Sequence, residues 1–452
     1  MLLLATLAGC GGGNGATAGG PVPVPAGAGG NVRPDVMWDR WTPYVIPHER
    51  TEPVLYEVGI VGNTTGAVTL ALSNSGGNVA LNDDGAGGDR IARDGVWSAR
   101  IDAATVLARN APTRVHRPVI GFLKVPGAEA DFNVFAEVFS ATLPVVAVRP
   151  LDQGGQETDY VANYVGTADQ LLQPDRNHWA RRFYATHGDD YDFLHVVMVS
   201  GRRSNRSHVR VRNAVEGIGQ GLFDQSAAAG SKGRLLGVSL YPMSTGFDPA
   251  EKAFAHETAH QWIQYLPGVP FAQASPHWPA GSVAANVMGF SMAGGVGGDH
   301  PFLYEPSGTG YVLKPAAPLQ GATFNLMELY LMGLASASEV PDFVLLKDQS
   351  RQVGVGTQLS ASDVQPMRIA DVIAAAGPRK PDASAAQRHF RIATIVVSER
   401  ALDARELSFF DFFARRAEAT TTLHCAVLLG DGPCLPWHLA TGARSTMTSK
   451  LR

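Results

Sequence analysis

His256 and His260 stand four residues apart in the run AHETAHQW, with Glu257 directly after the first of them. In a helix that spacing puts both imidazoles on one face, where they can share a metal ion, and sets a carboxylate beside them. The flanks read as such a helix. Asp248 can cap it, Pro249 suits its first position, and Glu251 completes a capping box three residues after the cap. Apolar Ala253, Phe254, Trp262, Ile263 and Leu266 follow, and Pro267-Gly268 ends it. Just upstream, residues 234–240 (RLLGVSL) read as a short strand at a sheet edge.

At 452 residues the chain exceeds what one core usually supports, so more than one domain is expected. With 37 basic residues against 41 acidic ones, it carries no basic footprint for nucleic acid. Residues 1–10 (MLLLATLAGC) lie outside any fold. LAGC resembles a bacterial lipobox, which would make Cys10 the lipid-modified residue. No basic region precedes it and the leader is short, so the reading expects a start further upstream. The competing reading is a free cysteine after an apolar stretch. Residues 11–36, rich in Gly, Ala and Pro and nearly uncharged, read as a tether. Together these imply export and lipid anchoring at the cell envelope, the anchor being the chain's one contact with a membrane. Cys425 and Cys434 are then a candidate disulfide in an oxidising compartment, with two free thiols as the alternative.

Residues 37–145 are β-like throughout. Short runs at 54–61, 67–72, 96–101, 115–125 and 132–143, separated by turn residues, imply an all-β, immunoglobulin-like sandwich. Within it, LNDDGAGGDRIARDGVWS resembles a hairpin of bacterial Ig-like domains on secreted enzymes. Asp83, Asp84, Asp89 and Asp94 could hold a structural calcium ion, or they could serve turn formation alone.

From residue 146 to the end the pattern becomes α+β. Helices are expected at 175–187, 209–222, 323–334, 369–376 (stopped by Gly377) and 402–418, and buried strands at 193–199 and 390–397. The C-terminal elements are expected to form a lower, mainly helical half. The Gly- and Ala-rich stretch 267–320 reads as a long functional loop.

A catalytic zinc usually takes three protein ligands and leaves one position open. Glu328, in TFNLMELYLMGL, is the first candidate for the third, because an isolated buried carboxylate needs a compensating cation or donors. His277, in SPHWP, is the rival, either as ligand or as a hydrogen-bond donor to a tetrahedral intermediate. Asp299 and His300 are weaker candidates. Ile263 and Leu266 stand where metzincins carry Gly and His, which excludes that class.

AHETAHQW, SPHWP and MELYLMGL together resemble secreted bacterial zinc metallopeptidases of the gluzincin type. The resemblance implies a zincin domain over residues 146–452 and a Zn2+ ion on His256, His260 and Glu328. It also implies Glu257 as general base and protein or peptide substrates. Gluzincins often carry an Asp four residues after the ligand Glu; here that place is Met332, leaving Asn325 to support the site. A zinc hydrolase acting on other bonds, or a surface adhesin with an inert zincin domain, are the alternatives.

Overall fold

The computed structural model describes residues 33–451, apart from 74–76, 108–114, 153, 248–251, 270–275, 290, 294–295, 299 and 428–429. Cys10, Asp248, Pro249, Glu251, Asp299 and nearly all of the tether lie outside the described residues. The chain is β-rich and built from several sheets.

Its first unit is a pair of sheets over one core. Strands Asp35–Thr42, Val54–Val61 and Val96–Ile101 form one sheet. Ile46–Pro47, Phe132–Phe139, His116–Lys124, Thr69–Leu72 and Asn78–Ala80 form the other. Alternate residues point inward, as a half-buried strand requires. Tyr56, Val58 and Ile101 of the first sheet meet Leu70, Leu123, Val134 and Ala136 of the second.

The second unit is organised around a larger sheet, in the order Ser207–Arg210, Gly237–Pro242, Phe193–Met198, His389–Ser398, Val161–Val165, Gly155–Glu157, Arg149–Leu151. The four middle strands are mutually parallel. Phe193–Met198 lies between two of them with all six residues buried, which explains its unbroken apolar text. Its two faces carry different helices. Leu194, Val196 and Met198 pack with Trp179 and Phe183 of the helix Arg176–Tyr184. Phe193 faces Phe254, Trp262 and Ile263 on the other side.

Three expectations are corrected here. Residues 209–222 are not helical. Ser207–Arg210 pairs antiparallel with Gly237–Pro242, and Arg212–Asn213 pairs with Phe223–Asp224. Gly217 and Gly219 adopt φ of 75° and 74°, which a helix forbids, and Asn213 ties the loop to Val215 and Gly221. The strand read at 234–240 is Gly237–Pro242 and lies inside the sheet; the edge is Ser207–Arg210. No separate helical lower half forms from the C-terminal elements. His389–Ser398 is a centre strand of the main sheet, and 302–367 contributes small antiparallel sheets.

Other elements match their sequence signals. Ile369–Ala376 is a helix with Gly377 at its end, and Asp403 caps Ala404–Arg416. Cys425 and Cys434 are disulfide-bonded across the hairpin of Leu423–Val427 and Gly430–Cys434. No helix among the described residues is long and apolar enough to cross a membrane.

Candidate metal centre

The histidine helix spans Lys252–Ala259, shorter than the sequence implies. It ends at His260, whose N–H is shared between the carbonyls of His256 and Glu257 at 3.3 Å each, and the chain then turns through 260–262. Trp262, Ile263 and Leu266 still pack into the core from this turn, so the apolar spacing reported burial correctly and helix length wrongly.

His277 joins the two helix histidines. The ligand nitrogens of His256, His260 and His277 all lie within 4.8 Å of one another. His256 and His277 stack with centroids 4.8 Å apart and planes at 23°, and His260 stands at 90° to the first and 71° to the second. Two backbone carbonyls set the tautomers. Nδ1 of His256 donates to Val287 O at 2.9 Å, and Nδ1 of His260 donates to Ile263 O at 3.2 Å. Each Nε2 is thereby left as a lone-pair donor, the arrangement that orients metal-binding imidazoles.

The remaining observations fit a cation. Nε2 of His260 is buried and has no hydrogen-bond partner. Nε2 of His256 lies 2.9 Å from Nε2 of His277, so the two ring nitrogens are directed at one point. Burial holds the His260 imidazole down to about 4, helped by the Arg210 charge, so it is neutral and competent to ligate at ordinary pH. Three imidazoles around a shared point suit zinc.

Glu328 does not enter this group. It is fully buried, but its oxygens are engaged by backbone and indole N–H groups. Oε1 accepts from Trp278 Nε1 at 3.0 Å and from Met288 N at 3.1 Å, and Oε2 accepts from Asn325 N at 2.9 Å. The last bond belongs to a capping box: Asn325 caps the helix Leu326–Met332 and accepts from Glu328 N in return. These donors offset the cost of burying the charge, so no metal is needed to explain it. What Glu328 holds still matters to the site. Trp278 follows His277 in sequence, and Met288 follows Val287, the residue that orients His256. Trp278 N also donates to Met288 O at 3.0 Å, so one carboxylate clamps both ends of the segment that completes the histidine cluster.

Glu257 is 1% exposed on the same helix. Behind the helix lie His195, buried against Phe254 and Tyr241, and His208, which bonds Ser239 Oγ and Gln261 Oε1 at 3.0 and 3.1 Å. Burial holds both rings down to about 3, so they are neutral core histidines and not ligands. His300 bonds Tyr304 Oη at 2.8 Å and is apart from the cluster. The bonds from Val287 and Gln261 are not legible in the sequence, since they join residues 31 and 53 positions apart with no spacing rule.

In the sandwich, Asp83, Asp89 and Asp94 bring carboxylate oxygens within 4.8 Å of one another, while Asp84 lies outside that set. All four accept from nearby backbone N–H groups. Asp89 takes Gly85 N at 2.6 Å, Asp83 takes Asp94 N and Gly95 N, Asp84 takes Ala86 N, and Asp94 takes Val96 N. Turn chemistry accounts for these residues as they stand.

Compared with protein-family models, curated proteins and solved structures, the chain matches none of them.

Proposed function

We propose that the chain is a zinc-dependent hydrolase of the zincin type, acting on protein or peptide substrates outside the cytoplasm. The observation that carries this reading is the convergence of His256, His260 and His277 beside Glu257. The ligand set is three imidazoles, with Glu328 as the residue that positions two of them. A bound zinc ion would supply Lewis acidity, lowering the pKa of a water ligand and polarising a carbonyl.

The chain's own groups do the rest. The carbonyls of Val287 and Ile263 fix the His256 and His260 rings. The Glu257 carboxylate takes the proton from the attacking water and passes it to the leaving amine. Water is held back by the apolar packing of Phe254, Trp262, Trp278 and Met288 around the histidines. Ser207–Arg210 lies at the edge of the main sheet and is tied to the histidine turn by His208–Gln261. Its outer side can pair with an extended substrate.

The test is Glu257→Gln in the full chain loaded with zinc. Zinc content should stay near that of the unsubstituted protein while peptide hydrolysis falls by about three orders of magnitude or more. Undiminished hydrolysis would remove Glu257 from the chemistry and the proposal with it.

A further inference from the structure

The strand Ser207–Arg210 presents one uncompensated positive charge to the histidine cluster. Alternate residues of a strand share a face, so Arg210 lies on the same side as His208. That side faces the histidine turn, because His208 Nε2 meets Gln261 Oε1 at 3.1 Å and Gln261 Nε2 donates to the Arg212 carbonyl at 2.8 Å. Arg210 is therefore held between two residues that are both fastened to Gln261, the neighbour of His260. The approach is close enough to exclude a side chain at Gly237, which pairs with Arg210. A Cβ there would come within 2.3 Å of His208 and 2.8 Å of Gln261.

Apart from the exposed Arg202, the other arginines of this stretch have partners. Arg203 pairs with Asp39 and Arg212 with Asp224, while Arg206 donates to Gly246 O. Arg210 is half-buried over the ring of Phe223, 5.7 Å from its centroid, with no carboxylate partner among the described residues. Burial holds its guanidinium below the ordinary value, and no neighbouring acid opposes that. A cation kept in such a place without a counter-charge is ready to receive one from outside.

We infer that Arg210 is a specificity residue that reads a carboxylate on the substrate, so that the site prefers acidic peptides. This rests on reading the Ser207–Arg210 edge as the substrate track. A peptide paired to that edge would set a side chain about 5 Å from the Arg210 stem on the same face. Arginine takes a carboxylate in bidentate fashion, and a neutral amide forfeits the charge-assisted part of the bond.

The experiment measures binding and cleavage separately. Zinc-loaded full-length protein carrying Glu257→Gln is titrated with four fluorescent peptide pools by anisotropy. One pool has internal Asp or Glu and an amidated C-terminus, and a second has Asn or Gln in their place. A third is neutral with a free C-terminal carboxylate, and a fourth is neutral and amidated. The acidic pool should bind about tenfold tighter than its amide counterpart, the size of one charge-assisted hydrogen bond. A preference for the third pool over the fourth instead would assign the carboxylate to the chain terminus. Adding Arg210→Gln should abolish the preference, Arg210→Lys should restore part of it, and Arg210→Glu should turn it toward Lys- and Arg-containing peptides.

Equal binding of all pools, no binding of any, or a preference that survives Arg210→Gln would overturn the inference. The same pools offered to protein with Glu257 intact separate it from the proposed function. Cleavage without charge discrimination keeps the hydrolase and discards the role of Arg210. Discrimination without cleavage does the reverse.

Discussion

Glu328 and His277 show what a single residue's type can and cannot reveal. Sequence alone marks Glu328 as a carboxylate needing compensation, and that is correct, since it is fully buried. The compensation comes from Trp278 Nε1, Met288 N and Asn325 N, and two of these donors lie 40 and 50 residues away. No local pattern announces them. His256, Glu257 and His260 were legible because helical spacing is local; His277 was legible only as an alternative, because its approach depends on how a loop returns. The two residues should differ when replaced. His277→Ala removes a donor nitrogen, and zinc content of the purified protein should fall well below one per chain. Glu328→Gln keeps all three imidazoles but sets an amide N–H against backbone or indole donors. Zinc affinity should then weaken by about 10–100-fold, with a loss of stability on the order of 2 kcal/mol. Elemental analysis with competitive chelator titration and thermal melting would decide. Full zinc in His277→Ala, with none bound by Glu328→Gln at any zinc concentration, would return Glu328 to the coordination sphere.

At the level of elements, the stop read at Gly377 marks a real helix end, and Asp403 with Glu406 forms a capping box at the start of Ala404–Arg416 that was not singled out from sequence. The edge strand Ser207–Arg210 carries no strand signal because Val209 is its one apolar residue and the other three are polar or charged, as unpaired edges tend to be. The buried strand Phe193–Met198 was plain from its apolar run, yet that run contains His195, and this has a consequence for stability. His195 is fully buried, its Nδ1 has no hydrogen-bond partner, and burial lowers its pKa from 6.5 to about 3. The folded state thus excludes the charged form that the unfolded chain accepts. Stability from this residue is fully present above about pH 6.5 and drains away as the pH falls toward 3, by up to a few kcal/mol. Urea midpoints measured from pH 7.5 to 4.5 should decline in the unsubstituted protein and decline less steeply in His195→Leu. Thr258 keeps its bond to Phe254 O in that variant, so no new unpaired hydroxyl arises. Equal slopes in the two proteins would assign the acid sensitivity to other groups.

Across the whole molecule, the sequence separates a β unit from a mixed one but says nothing of how tightly they join. The junction is extensive and largely buried. Tyr44, Val45, Phe139 and Leu143 pack with Phe247, Phe409, Phe410 and Phe413, and His116, bonded to Glu137 at 2.5 Å, meets the rings of Phe409 and Phe413 edge-on. Charges cross it as well: Arg203 pairs with Asp39 at 2.8 Å, Arg405 with Glu49 at 2.9 Å, and Arg40, bonded to Glu57 within its own sheet, also pairs with Glu399. An interface built on an aromatic cluster and buried ion pairs behaves as a shared core, not as a hinge between independent domains. The two units should therefore melt together. Asp39 is the sharpest probe, because it is buried, it also accepts from Tyr56 Oη at 3.4 Å, and burial raises its pKa despite Arg203. Asp39→Ala strands Arg203, whose side chain is 14% exposed, at a cost of about 3 kcal/mol. Calorimetry and near-ultraviolet dichroism should report one coincident transition in both proteins, shifted down by several degrees in the variant. If instead a first transition moved alone, leaving the histidine cluster's zinc in place through it, the sandwich would be a separate passenger. The edge strand that begins four residues after Arg203 would then keep its geometry without it. Coincident melting with release of added zinc would make the sandwich part of what holds the edge strand against the histidine cluster.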